Sequence, residues 1–270
     1  HTINTLAYSP DGQRLVTGGQ DGVLRLWNVG IPAQRLRLGL KRDEAVAHVA
    51  LGVDNRIKDV AFSGDGSMIV TGDWQGWVKL WDGRDLTLIG QRQVDYQIWS
   101  VAFSGDDKHV VTGSGYDLSR GAGDVVQFWT VDRSAPETLS ADGPSITGSP
   151  GGNIYALAYS PDGRQLASGA NDGLTRLWNT ADHQSTGPAL GADQNTVASL
   201  AYAQKHPWLV SGGSDGKIRR WSTVDFQPIG SAIDGRQTWV HSVAVSPDDE
   251  WIASAGADGT LHLWRVSNDL

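Results

Sequence analysis

The sequence predicts an all-β fold, and three observations carry that expectation. Six stretches of one design recur along the 270 residues, each ending in a tryptophan that closes an apolar/polar run. The 34 glycines and 10 prolines suit short strands joined by tight turns, and helix interiors tolerate neither well. Each repeated element is four to seven residues long, rich in Val, Ile, Leu and aromatics, and bounded by Gly, Asp or Pro. These are strands joined by hairpins.

The elements follow in a fixed order. The first is an apolar strand running into a turn: INTLAYSPDG from Ile3, IKDVAFSGDG from Ile57 and IWSVAFSGDD from Ile98, then IYALAYSPDG from Ile154, VASLAYAQKH from Val197 and VHSVAVSPDD from Val240. The second is LVTG, IVTG, VVTG, LASG, LVSG or IASA, where Ala255 replaces the glycine. A turn follows, and Asp-Gly suits its positive φ values at Asp21-Gly22, Asp172-Gly173, Asp215-Gly216 and Asp258-Gly259. The third strand ends in LRLW, VKLW, VQFW, TRLW, IRRW or LHLW, at Trp27, Trp81, Trp129, Trp178, Trp221 and Trp264. Their separations of 54, 48, 49, 43 and 43 residues give a period of about 43 with insertions. After each of the first five tryptophans there is chain enough for one more strand. The unit is a four-stranded antiparallel meander.

Several of these strands are apolar on both faces, which a lone sheet cannot hide but radially stacked sheets can. The architecture expected is a β-propeller, with repeat units at about 1–44, 45–93, 94–148, 149–191, 192–235 and 236–270. The SPDG, SG, DG and LW elements, six times over, resemble the WD40 repeat family along essentially the whole chain. The repeats give six visible blades, the resemblance leaves them open to completion as a seven-bladed ring, and the start at His1 rather than methionine leads to the expectation of a piece of a longer polypeptide. The resemblance also implies a structural role for the six tryptophans, for the second-strand hydroxyls Thr17, Thr71, Thr112, Ser168, Ser211 and Ser254, and for the turn aspartates Asp21, Asp172, Asp215 and Asp258. A buried indole N–H needs an acceptor, which the hydroxyl supplies while the aspartate orients it. The sequence departs from the family in lacking its Gly-His before the first strand, in having Trp-Asp only at Trp81-Asp82, and in placing Gln75 where a turn aspartate belongs.

Composition excludes several chemistries. With no cysteine there is no disulfide, thiolate metal site or cysteine nucleophile. A net charge of −8 argues against a broad nucleic-acid footprint. No apolar run approaches the length of a membrane-spanning helix, and a cytoplasmic location is expected. Gly212-Gly213-Ser214-Asp215-Gly216 matches the G-x-S-x-G pattern, but that motif needs a strand-to-helix turn and here lies between two short strands. The seven histidines are scattered without metal-ligand spacing. No catalytic residue, metal or cofactor is expected. A central-channel enzyme or metal protein is the alternative, drawing on Asp59, Lys58 and His241.

The remaining signal is aromatic. Six tryptophans lie outside the repeat anchors: Trp74, Trp77, Trp99, Trp208, Trp239 and Trp251. In a WD40 ring the start of the first strand and the turn between second and third strands share one rim. Residue matching puts Arg56, Lys58, Trp74, Gln97, Trp99, Asn153, Tyr155, Asn171, Trp239 and His241 there, joined by Tyr116 and Arg120 from the rebuilt third turn. Aromatic and arginine side chains bury much area with few rotors, so this rim is expected to bind a protein or peptide. On the opposite rim, Trp208 and Trp251 share one slot, and the insertion at Ile31 to Glu44 carries Arg35, Arg37, Lys41 and Arg42. The resemblance extends to bacterial WD40 arrays of multidomain NTPases and kinases, which implies a sensor or regulatory domain.

Overall fold

The computed structural model describes residues 2–29, 45–52, 54–115, 125–135, 138–147, 152–191 and 195–266. Tyr116, Arg120 and the basic insertion 31–44 lie outside the described residues. The described secondary structure is all β, in six antiparallel sheets. The chain falls into two compact units, residues 1–123 with 127–145, and residues 124–126 with 146–270.

The first sheet runs in order β1 (Ile3–Tyr8), β2 (Arg14–Gly19), β3 (Val23–Asn28) and β4 (Ala47–Ala50). Its outer strand is thus drawn from just beyond residue 44. The second repeats the plan with β5 (Ile57–Phe62), β6 (Met68–Asp73), β7 (Trp77–Asp82) and β8 (Leu88–Gln93). In the third, β9 (Ile98–Phe103), β10 (His109–Ser114) and β11 (Val125–Val131) are inner strands, while β12 (Leu139–Ala141) and β13 (Ile146–Thr147) share the outer position.

The second unit departs from four strands per sheet. The fourth sheet holds β14 (Ile154–Tyr159), β15 (Gln165–Ala170) and β16 (Thr175–Asn179), its outer edge reduced to the bridges Thr175–Leu190 and Trp178–Ser185. The fifth is complete: β17 (Val197–Tyr202), β18 (Trp208–Gly213), β19 (Lys217–Ser222) and β20 (Ile233–Asp234). The sixth has three described strands, β21 (Val240–Val245), β22 (Trp251–Gly256) and β23 (Leu261–Arg265). Residues 267–270, which the sequence offers as a stub of a fourth strand, lie outside the described residues.

Within each unit, sheets stack by pressing one sheet's first strand onto the second strand of the sheet before. A methyl on Gly212 would sit 2.6 Å from Val240 Cγ1 and 2.8 Å from Val243 Cγ1. Only glycine leaves room for β21 there. Gly18 receives Ile57 in the same way, Gly72 receives Ile98, and Gly169 receives Val197. The core therefore lies between sheets. Val16, Leu24 and Leu26 pack with Ile57, Val60 and Ile69, and Val210 and Ile218 pack with Val240, Val243 and Ile252.

All six anchor indoles donate to the second-strand hydroxyl of their own sheet. The Nε1–Oγ distances are 2.9 Å for Trp27–Thr17, 3.0 Å for Trp81–Thr71 and 3.0 Å for Trp129–Thr112. They are 2.8 Å for Trp178–Ser168, 2.9 Å for Trp221–Ser211 and 3.0 Å for Trp264–Ser254. The geometry gives the turn aspartates a different role from orienting that hydroxyl. Asp21 accepts the Val23 N–H and pairs with Arg25 at 2.8 Å. Asp172 does the same with Leu174 and Arg176, and Asp215 with Lys217 and Arg219. Asp258 accepts from Thr260 N and Oγ1. In the second sheet Asp73 substitutes from two positions earlier than Gln75, accepting the N–H groups of Gln75 and Trp77 and pairing with Lys79 at 3.6 Å. Burial pushes the Asp73 carboxyl up and the Lys79 ammonium down, each opposed by the other's charge.

Candidate functional site

One irregularity, repeated in every sheet, decides which side chains reach the candidate rim. The first strand carries a β-bulge at its second residue. Ile57 pairs with Asp73 and Asp59 with Gly72, so Lys58 is the extra residue. The same shift makes Asn4, Trp99, Tyr155, Ala198 and His241 the extra residue of the bulge in the other sheets. A bulge re-aims its extra side chain, and bulges are frequent at sheet ends and binding sites. Residues on either side of the second turn join them at the same register. The Trp74 N–H donates to Arg56 O, that of Asn171 to Asn153 O, and that of Ala257 to Trp239 O. Gln97 accepts from Gly115 in the same way.

In the first unit these positions bring four side chains together. Lys58 Nζ lies 4.0 Å from the Trp99 ring centroid and 4.5 Å from that of Trp74. The two indoles meet edge to face at 5.5 Å and 70°, and the Arg56 guanidinium lies 5.9 Å from the Trp74 ring. Trp74, Trp99 and Lys58 are half-buried, and Arg56 is exposed. Loss of water and the nearby Arg56 charge both hold the Lys58 ammonium below the ordinary lysine range. Beyond Trp74 opens a cleft of about 460 Å³ lined by Gln75, Gln93, Tyr96 and Gln97, among others. In the second unit, Trp239 is 38% exposed and stacks on His241 at 5.0 Å and 25°. Asn153 donates through Nδ2 to the Tyr155 hydroxyl at 2.9 Å, and its N–H donates to Asn171 Oδ1 at 3.0 Å.

Asp59, offered by its sequence as an axial cation ligand, is committed elsewhere. Its carboxylate accepts from Thr5 Oγ1 at 3.0 Å in the first sheet and from the Val60 N–H at 2.9 Å in its own. From the third sheet it accepts Ser100 Oγ at 3.1 Å and the Val101 N–H at 2.9 Å. Burial raises its pKa, and these four donors oppose the rise. The carboxylate joins three sheets. Ser199 makes the equivalent bond in the second unit, accepting the Val243 N–H at 3.0 Å. Among the described residues no group of three or more His, Asp or Glu side chains converges as a metal-ligand set. Ser214 sits in a hairpin between β18 and β19, not in a strand-to-helix turn.

Two features escaped the sequence reading. Asp107 and Asp249 stand at positive φ, 59° and 65°, where three sister turns have Gly12, Gly66 and Gly163. Asp107 accepts the N–H groups of Gly64 and Asp65 in the preceding sheet, and Asp249 those of Gln204, Lys205 and His206 together with His206 Nδ1 at 2.8 Å. The doubled aspartates of SGDD and SPDD were the available signal. The other is Trp208, which is buried within the core of the fifth and sixth sheets rather than displayed on the opposite rim.

Repeats, hydroxyl-anchored indoles and stacked sheets define a class of repeat protein. The WD40 model described as "WD domain, G-beta repeat" matches residues 1–28, 47–82, 86–119, 142–179, 188–222 and 226–265. The chain belongs to the WD40 repeat family. A serine-threonine kinase receptor-associated protein of Gallus gallus is 24% identical over 67% of this chain and 55% of its own length. The small ribosomal subunit protein RACK1 of Caenorhabditis elegans is 25% identical over 66% of this chain and 50% of its own. Eukaryotic translation initiation factor 3 subunit I of Drosophila grimshawi is 28% identical over 65% and 50%. The chain thus spans about half the length of these curated relatives. Among the described residues no helix is long and apolar enough to cross a membrane.

Proposed function

We propose that this chain is a non-catalytic protein- or peptide-binding module that works as a regulatory or sensor domain of a larger cytoplasmic protein. The observation that carries the reading is the run of bulge positions. Lys58, Trp99, Tyr155 and His241 are all re-aimed by one device, and Trp74 and Trp239 stand beside them. Large aromatic side chains at a sheet end suit a partner surface, because they desolvate much area at little rotamer cost. Relatives named for association with a receptor, a ribosomal subunit and an initiation factor support a place in protein assemblies. The uniform repeats support the finer assignment to a regulatory array of the kind appended to multidomain NTPases and kinases.

Panning a random dodecapeptide phage library against the purified chain tests the reading. Enriched peptides are expected to lose at least tenfold in affinity with Trp99→Ala or Trp239→Ala, while the circular dichroism of the variants stays that of the parent. No enrichment, or binders indifferent to both substitutions, would overturn it.

A further inference from the structure

We propose that Arg56, Lys58, Trp74 and Trp99 form an anion subsite that takes the carboxylate of an Asp or Glu side chain from a peptide partner. The inference rests on the peptide-binding reading above and specifies the chemistry of its partner.

Two cations stand side by side here without a counter-charge. Among the described residues neither Arg56 nor Lys58 forms an ion pair, although Arg14, Arg25, Arg176, Arg219 and Lys79 each do. What holds Lys58 is the faces of two indoles, at 4.0 and 4.5 Å. A ring quadrupole positions an ammonium but does not neutralise it. The cost of burying that charge beside a like charge is therefore left for an incoming anion to offset. The bulge fixes the backbone beneath Lys58, and the indoles restrict its long stem, so little rotamer freedom remains to be lost on binding.

Charge selects a single carboxylate over a polyanion. The whole chain carries −8, which repels nucleic acid at long range, and the subsite offers only two positive groups. Trp74 is shared with the adjoining cleft, where Gln75, Gln93 and Gln97 present amides that suit a peptide backbone and Asp95 disfavours a second negative group.

Titration of the ¹⁵N-labelled chain, read at the indole N–H signals of Trp74 and Trp99, tests the assignment. The probes are acetyl-Ala-Glu-Ala-Ala amide, its Gln and phosphoserine counterparts, and hexauridylate. The Glu peptide is expected to give saturable shifts in the millimolar range and the Gln peptide to bind at least tenfold more weakly. Lys58→Met should abolish the response, and Arg56→Gln, at an exposed position, should weaken it severalfold without disturbing the fold. Equal binding of the Gln peptide, no response to the Glu peptide, an unaltered response in Lys58→Met, or tenfold tighter binding of the phosphoserine peptide or of hexauridylate would each overturn the assignment. Its failure is separable from that of the module itself. Library-selected peptides that need Trp99 or Trp239, yet lack acidic residues and ignore Lys58→Met, would sink the subsite and leave the peptide-binding reading standing.

Discussion

Trp208 in the fifth sheet and Trp251 in the sixth occupy one slot of the repeat, each opening a second strand, yet the first is 6% exposed and the second 40%. Both pair across to the third strand of their sheet, Trp208 with Ser222 and Trp251 with Arg265. The difference comes from what packs on top. Val240, Val243 and Ile252 of the sixth sheet join Trp208 in one cluster, and no further sheet covers the sixth among the described residues of its unit. The first unit shows the converse. Leu6 is 58% exposed, whereas Val60, its counterpart in the second sheet, is 4% exposed because it presses onto the first. Repeat position sets which way a side chain points, and the neighbouring sheet sets whether it leaves water. The replacement of the docking glycine by Ala255 follows the same logic: Gly212 must admit Val240, and among the described residues no strand lies over Ala255.

The largest effect that would sharpen this contrast is Trp208→Ala, expected to cost about 3–5 kcal/mol by removing a core indole, against about 1 kcal/mol or less for Trp251→Ala. Urea denaturation of the two variants measures both, and equal losses would break the comparison. Next in size is the hydroxyl that receives the indole N–H. Ser211→Ala leaves a buried donor unsatisfied in the fifth sheet and should cost about 1–3 kcal/mol. The same change at Ser254, whose bond to Trp264 is only part-buried, should cost less because water can take the place of the hydroxyl.

The smallest effect is on acid. Burial pushes the Asp249 carboxyl up, but its bonds from Gln204, His206 and Lys205 outweigh that and hold it below the ordinary Asp value of 3.8. A lowered folded pKa means that the stabilisation is fully present above about pH 4 and is lost as pH falls through the lowered value. This carboxylate fastens the sixth sheet to the fifth, so amide protection factors in β21–β23, corrected for the intrinsic exchange rate at each pH, should fall first on acidification. Asp249→Asn should remove that pH dependence.

Much of the fold was legible because its determinants are close in sequence. Five of the six indole–hydroxyl pairs are ten residues apart, and in four of those five the intervening hairpin is marked by Asp-Gly. The candidate rim was legible only as positions. Nothing in IKDVAF distinguishes a lysine held between two indoles from a solvated one, since Trp74 and Trp99 arrive from a turn and from the next sheet. Asp59 looked like a free carboxylate for the same reason: three of its four donors belong to residues 41–54 positions away.

The residue order by itself determined the strands, their hairpins and the anchoring of each indole, because hydrogen bonds across a tight turn depend on spacing alone. Tertiary structure decided which tryptophans are core, which carboxylate joins sheets and which cations stand without a partner. Desolvation is imposed by whatever packs against a side chain, and in these stacked sheets that neighbour comes from a different repeat.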